Sequence, residues 1–268
     1  MILRRDMPAV VVFTFLLWVS DSAAVANLVP EVTKTETADP TRILFVGNSY
    51  LYYNNSLHDH VKRMVAAAGI HDSDDLIFKS VTINGGTLLD HDISDYLEPG
   101  KFRMERPFQV VVLQGHSKAA LLDGNRARFA EAVTGFSMEV AAAGGETALY
   151  MTHAYVLPHE MYRDDMIRDI ENLYVTEGNE VGALVIPIGL AFEEAYRRRP
   201  DLQLHMPYDG THPSLAGTYL AAATVFASLY GRSPLGVQYD YFGRIDGSTV
   251  RFLQEVAEHT VRAFYGHN

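Results

Sequence analysis

Three separated stretches carry side chains suited to acyl transfer. The first is Gly47-Asn48-Ser49-Tyr50. A serine at a tight strand-to-helix turn exposes its hydroxyl at the top of a sheet, and its own N–H points toward a bound carbonyl oxygen. The second is Asp209-Gly210-Thr211-His212-Pro213-Ser214. Serine is a weak nucleophile until a base takes its proton, and histidine titrates near neutrality. A carboxylate fixes the imidazole tautomer and stabilises the imidazolium. Asp209 and His212 are three positions apart, so one loop delivers both. The third is split between Gly85-Gly86 and Gln114-Gly115-His116-Ser117. A glycine N–H and a glutamine amide would serve as donors to an oxyanion. Taken singly, each stretch is also a plain helix start, turn or polar loop.

The elements that must position these residues alternate between strand and helix. Apolar runs predict strands at Arg42–Gly47, Leu76–Ile83, Gln109–Leu113, Thr147–Thr152 and Ala183–Ile188. Helical spacing covers Ser56–Gly69, Asn125–Ala143, Glu160–Val175, the stretch from Ile188 to about Arg199, Ser214–Tyr230 and Ser248–Tyr265. The unbroken apolar run at Gln109–Leu113 suggests burial on both faces. Such alternation gives a mainly parallel five-stranded sheet between two helical layers, a flavodoxin-like α/β/α sandwich. Ligands of these sheets sit beyond the carboxyl ends of the strands. The chemistry-bearing residues follow the strands, as that rule requires.

The N-terminus carries an address. Arg4 and Arg5 precede an apolar run of 11 residues, Ala9–Val19, and Ser20–Ala26 ends in Ala-Val-Ala. This reads as a signal peptide cleaved after Ala26, since the run is short of the roughly 20 residues that span a bilayer. The expected organisation is a signal peptide at 1–26, a linker or N-terminal arm at 27–41, and one domain at 42–268. The protein is then secreted or periplasmic, with no stable membrane association after cleavage. A net charge of −11 argues against nucleic acid as partner, because polyphosphate needs a basic footprint. The chain has no cysteine, which excludes a thiol nucleophile, disulfides and thiolate metal sites.

Serine after the first strand, glycine after the second, an amide after the third and Asp-x-x-His before the late helices resemble the SGNH (GDSL-type) hydrolase superfamily. The resemblance runs from about Arg42 to the C-terminal helices. It implies Ser49 as nucleophile, His212 as base and Asp209 as its partner. His-Pro followed by the small-residue helix of HPSLAGTYLAA is typical there. Three departures stand out. The usual Gly-Asp-Ser is Gly47-Asn48-Ser49. The glycine donor is Gly85, with Gly86 as the alternative. The expected Gly-x-Asn-Asp is replaced by Leu-Gln-Gly-His-Ser, similar to the Gln-Gly variant of carbohydrate acetylesterase branches. Gln114 is therefore the expected third oxyanion donor, with His116 or Ser117 as alternatives.

The resemblance implies an exported serine esterase that needs no metal or cofactor and acts on a small-molecule or glycan ester, an O-acetyl carbohydrate first. A lipid or general short-chain carboxylesterase is the second reading, and a silent glycan-binding protein the third. Other residues read more plainly. His58 and His60 flank Asp59 in a solvated first helical turn, since i and i+2 do not share a helix face. His153 and His159 bracket a loop after the fourth strand, as surface residues or cleft lining. His91 follows the glycine loop, where it would touch substrate. Tyr50, Tyr52 and Tyr53 form a sugar-stacking wall or pack the loop. Arg197-Arg198-Arg199 is a basic helix C-terminus.

Overall fold

A computed structural model describes residues 28–267; the proposed signal peptide lies outside the described residues. Five strands form one sheet: β1 (Arg42–Gly47), β2 (Ile77–Thr82), β3 (Val110–Gln114), β4 (Glu146–Tyr150) and β5 (Leu184–Ile186). Their order is β2-β1-β3-β4-β5 and every pairing is parallel. The expected five-stranded sheet is thus present, with all neighbours parallel. Eight α-helices accompany it among the described residues: α1 (Ser49–Tyr52), α2 (Leu57–Ala67), α3 (Ile93–Leu97), α4 (Asp123–Ala142), α5 (Met166–Val181), α6 (Ile188–Arg198), α7 (Leu215–Tyr230) and α8 (Gly247–Phe264).

The strands alternate their side chains between two cores. Ile43, Phe45, Val110, Val112, Tyr150 and Ile186 face α2, α6, α7 and α8. Leu44, Val46, Val111, Leu113, Leu149 and Val185 face α3, α4 and α5. Both faces of the central strands are therefore dry, which is why their sequences read as apolar runs rather than as alternation. Helix α7 is an extreme case, with 14 of its 16 residues buried. It packs against α2, α6 and α8, so it shows no amphipathic stripe. Among the described residues no helix is long and apolar enough to cross a membrane.

Residues 28–41 form neither helix nor strand, yet they are tied to the domain. The Glu146 carboxylate accepts from the Glu36 and Thr37 N–H groups at 2.7 and 2.8 Å. Tyr230 donates to the Pro40 carbonyl at 2.7 Å, and Arg232 pairs with Asp39 at 2.7 Å.

One histidine of α2 departs from expectation. His60 is fully buried rather than solvated, because it shares the helix face of Leu57, Val61 and Met64. Its Nε2 donates to the Asn54 carbonyl at 2.7 Å and its Nδ1 accepts from the Tyr239 hydroxyl at 3.1 Å. Helix α5 begins at Met166, six residues after the expected Glu160. The intervening Arg163 instead bonds Asp165 and Asp169, and Tyr162 bonds Asp164, in a turn.

Candidate active site

The carboxyl ends of β1, β2, β3 and β4 converge with the loop that precedes α7. Ser49 opens α1, so its N–H has no partner within the helix. Asn48 caps that helix, its Oδ1 accepting from the Tyr50 N–H at 3.3 Å. Asn48 Nδ2 donates to the Gly86 carbonyl at 3.0 Å. An aspartate has no proton to give there, which accounts for Gly-Asn-Ser in place of Gly-Asp-Ser. The Gly47 carbonyl accepts from the Ile83 N–H at 3.0 Å and from His91 Nε2 at 2.9 Å. His91 is thus a buried prop beneath the Ser49 turn. Burial holds its pKa below the ordinary histidine range, against the pull of the Gly47 carbonyl.

The candidate nucleophile, base and acid are joined. Ser49 is 6% exposed, and its Oγ lies 2.9 Å from His212 Nε2. His212 Nδ1 lies 2.7 Å from Asp209 Oδ2. A carboxylate only accepts, so the proton sits on Nδ1 and Nε2 is free to accept from the serine. The other carboxylate oxygen, Asp209 Oδ1, accepts from the Thr211 and His212 N–H groups at 2.9 and 3.1 Å. Burial works to raise the Asp209 pKa; these N–H groups and the imidazole outweigh it and hold it below the usual carboxylate value. The loop's own backbone therefore keeps its acid ionised.

The loop is gripped from the β4 side. His153, just past β4, is fully buried, which corrects its reading as a surface or cleft-lining residue. Its Nε2 donates to the Thr211 carbonyl at 2.8 Å. Its ring is stacked between Tyr50 and Phe192, at 4.3 and 4.4 Å between centroids. Tyr50 adds a hydroxyl contact of 2.6 Å to Thr211 Oγ1. The Gly210 carbonyl accepts from the Val156 N–H at 2.9 Å. Gly210 adopts φ +64°, and a Cβ there would stand 2.1 Å from the Val156 carbonyl oxygen, so only glycine fits. The sequence signal for this grip was weak: a lone histidine after a strand carries no spacing that tells burial from exposure.

Tyr53 covers the open side of the base. Its ring stacks on His212 at 4.4 Å with 13° between planes. Asn54, Asn55 and Ser56 follow with φ of 54°, 71° and 67°. Left-handed backbone at three successive non-glycine residues is uncommon and is stabilised by its surroundings. Here Asn54 Nδ2 donates to the Pro213 carbonyl at 2.9 Å and to Thr218 Oγ1 at 2.8 Å.

The oxyanion donors differ in part from expectation. Gly86 spends its N–H on the Ile83 carbonyl at 3.0 Å, closing a tight turn with Gly85 at φ +66°. The Gly85 N–H makes no turn or cap hydrogen bond among the described residues, leaving it as the candidate donor of the pair. Gln114 is corrected. It is 1% exposed, its Oε1 accepts from the Asn48 N–H at 2.9 Å, and its Nε2 donates to the Gly115 carbonyl. It follows Val110 and Val112 on the same face of β3 as Phe45 and Gly47 of β1, beneath the site rather than in it. Ser117 Oγ accepts from the Tyr155 hydroxyl at 2.8 Å. His116 is placed differently. Its Nδ1 accepts from the Lys118 N–H at 3.0 Å, so its proton is on Nε2. Burial and Lys118 both lower its pKa. His116 is therefore a neutral donor, and it lines a cavity of about 150 Å³ with Gly85, Leu88, Ala119 and Phe129.

A cavity of about 590 Å³ lies elsewhere, between residues 33–39 and the C-terminal turns of α7 and α8. It holds none of these groups.

No family model and no curated protein matches the chain. Solved structures do. A candidate SGNH hydrolase from Slackia heliotrinireducens aligns over 71% of this chain and 99% of its own, at 22% identity and a TM-score of 0.55. A DUF4886 family protein from Bacteroides uniformis aligns over 84% and 95%, at 18% identity and a TM-score of 0.63. The chain has the SGNH hydrolase fold. An acetyl xylan esterase shares that fold over 69% of this chain and 98% of its own, at 15% identity and a TM-score of 0.53. At such identities the likeness speaks for the fold, and any activity must be argued from the site.

Proposed function

We propose that the protein is a serine hydrolase of carboxylic esters working through an acyl-enzyme. The unbroken hydrogen-bonded chain Ser49–His212–Asp209 carries this reading. His212 Nε2 takes the Ser49 proton as Oγ attacks the ester carbonyl carbon. The Ser49 N–H, the Gly85 N–H and His116 Nε2–H hold the oxyanion that forms. His212 then delivers its proton to the leaving alcohol oxygen. Water, deprotonated by the same imidazole, hydrolyses the acyl-enzyme and restores Ser49. No cofactor enters these steps.

The substrate we favour is an O-acetyl group on a carbohydrate. Two observations support it: the cavity beside Gly85 and His116 is small, about 150 Å³, and an acetyl xylan esterase shares the fold. The basic, apolar and small-residue order of residues 1–26 supports export to such a substrate.

Hydrolysis of p-nitrophenyl acetate by wild type and Ser49→Ala tests the assignment. The variant is expected to lose about 10³-fold or more in kcat with an unchanged melting temperature. Equal activity of the two proteins rules the nucleophile out.

A further inference from the structure

We infer that Tyr52, Tyr53 and Tyr208 form the subsite for the alcohol half of the ester, and that its chemistry fits a pyranose ring. The inference rests on the serine hydrolase reading and deepens it. In that reaction His212 Nε2 must hand a proton to the leaving oxygen, so the alcohol has to lie within hydrogen-bond reach of that nitrogen. The acyl half points the other way, toward the donors and the cavity at Gly85 and His116. Whatever flanks the open side of His212 therefore meets the alcohol.

An arc of tyrosines flanks it. Tyr53 stacks on the imidazole at 4.4 Å, and Tyr52 stacks on Tyr53 at 5.5 Å. The Tyr53 hydroxyl is 3.5 Å from the hydroxyl of Tyr208, which is in the base's own loop. Tyr52 donates to Asn84 Oδ1 at 2.9 Å, beside the Gly85 donor. The arc thus runs from the histidine loop to the oxyanion loop along one wall of the site. Two of its rings are open: Tyr208 is 66% and Tyr52 39% exposed. Core packing does not account for large rings left open at a catalytic edge, with their hydroxyls tethered to neighbouring loops.

The chemistry selects the ligand. Tyr52 and Tyr208 each offer a flat apolar face edged by a hydroxyl, and Asn84 and Asp209 are polar neighbours. A pyranose matches this with its C–H face and its ring of hydroxyls. An aliphatic alcohol chain would need a continuous greasy groove, which hydroxyl-edged rings do not supply.

The test compares a mono-O-acetylated methyl xylopyranoside with vinyl acetate, whose alcohol half is too small to reach the arc. Tyr208→Ala and Tyr52→Ala are expected to lower kcat/KM on the sugar ester by about tenfold each, chiefly through KM, and to leave vinyl acetate unchanged. Tyr208→Phe should retain most of the sugar activity. Tyr208 is exposed, so its truncation leaves the fold intact. Equal losses on both esters, or no loss on either, would overturn the subsite. A separate arm measures binding of the same sugar ester to Ser49→Ala by calorimetry, with and without Tyr208→Ala. Weaker binding on loss of Tyr208 supports the subsite even if wild type hydrolyses no ester, an outcome that sinks the hydrolase reading alone. Unchanged binding overturns the subsite whatever the activity.

Discussion

Gln114 occupies the space that a side chain on Gly47 would need. A Cβ at position 47 would stand 2.5 Å from Gln114 Oε1 and 2.8 Å from its Cβ. The glycine of Gly-Asn-Ser thus makes room for a glutamine from the neighbouring strand. That glutamine in turn holds the Asn48 N–H from below.

This division of labour separates Gln114 from His116. Gln114→Ala should strand a buried N–H and cost about 1–3 kcal/mol of stability, read as a lower urea midpoint. His116→Ala should leave that midpoint nearly unchanged and reduce kcat by about 10²–10³-fold. A full-rate His116→Ala enzyme would remove His116 from the oxyanion site.

His153 acts on the base through Thr211. His153→Phe keeps a ring between Tyr50 and Phe192 but removes the donor to the Thr211 carbonyl. It also removes a buried Nδ1 that has no partner. Stability should therefore change little while kcat falls about 10- to 100-fold, with KM nearly constant. His153→Gln, which restores an N–H donor, should recover part of the loss. An unaltered kcat in His153→Phe would show that the hydrogen bond is not needed.

Gly210→Ala meets both a left-handed backbone and the Val156 carbonyl oxygen. The expected cost is about 2–3 kcal/mol in urea unfolding, together with a fall in kcat as Asp209 and His212 shift. Native stability in this variant would mean that the loop is free to move away from Val156.

Acid should weaken the fold before the carboxylates titrate. His205 is buried; its Nε2 donates to the Ala154 carbonyl at 3.0 Å and its Nδ1 accepts from Tyr196 at 2.7 Å. Burial pushes its pKa down to about 4. His153, buried and beside His205, is lowered too. An unfolded histidine protonates near pH 6.5, so below that the unfolded state binds more protons than the folded one. Stability is full above pH 6.5 and falls as pH drops toward 4, by roughly 3 kcal/mol from His205 alone. Urea midpoints between pH 8 and 4 measure this. His205→Gln, which can make both hydrogen bonds without titrating, should flatten the slope; an equal slope would place the acid sensitivity elsewhere.

The parts of the site that were legible in sequence are those written in consecutive residues. Asp209 and His212 share one loop, and Ser49 follows a strand whose apolar run is plain; their order along the chain resembles the SGNH pattern, which put them at one sheet edge. The role of Gln114 depended on which face of β3 it takes and on the empty position at Gly47, in a strand distant in sequence. No local pattern encodes that. His60 and His153 looked solvated because histidine usually is, yet each is buried among aromatic rings supplied by distant segments. The fold was legible for a related reason. Strands dry on both faces must be apolar throughout, and that signal survives without any partner in view. The onset of α5 was less clear, because the charged residues before it suit a helix and a turn equally.

Pro213 and Ser214 join His212 directly to α7, the helix buried on nearly every side. Ser214 caps that helix and donates to the Gln203 carbonyl at 2.7 Å. The candidate base is thereby rooted in the part of the molecule expected to open last. Local opening at the surface should not disarm it. Loss of activity on heating is therefore expected to coincide with global melting, and protection against amide exchange along α7 should report how long the enzyme stays competent.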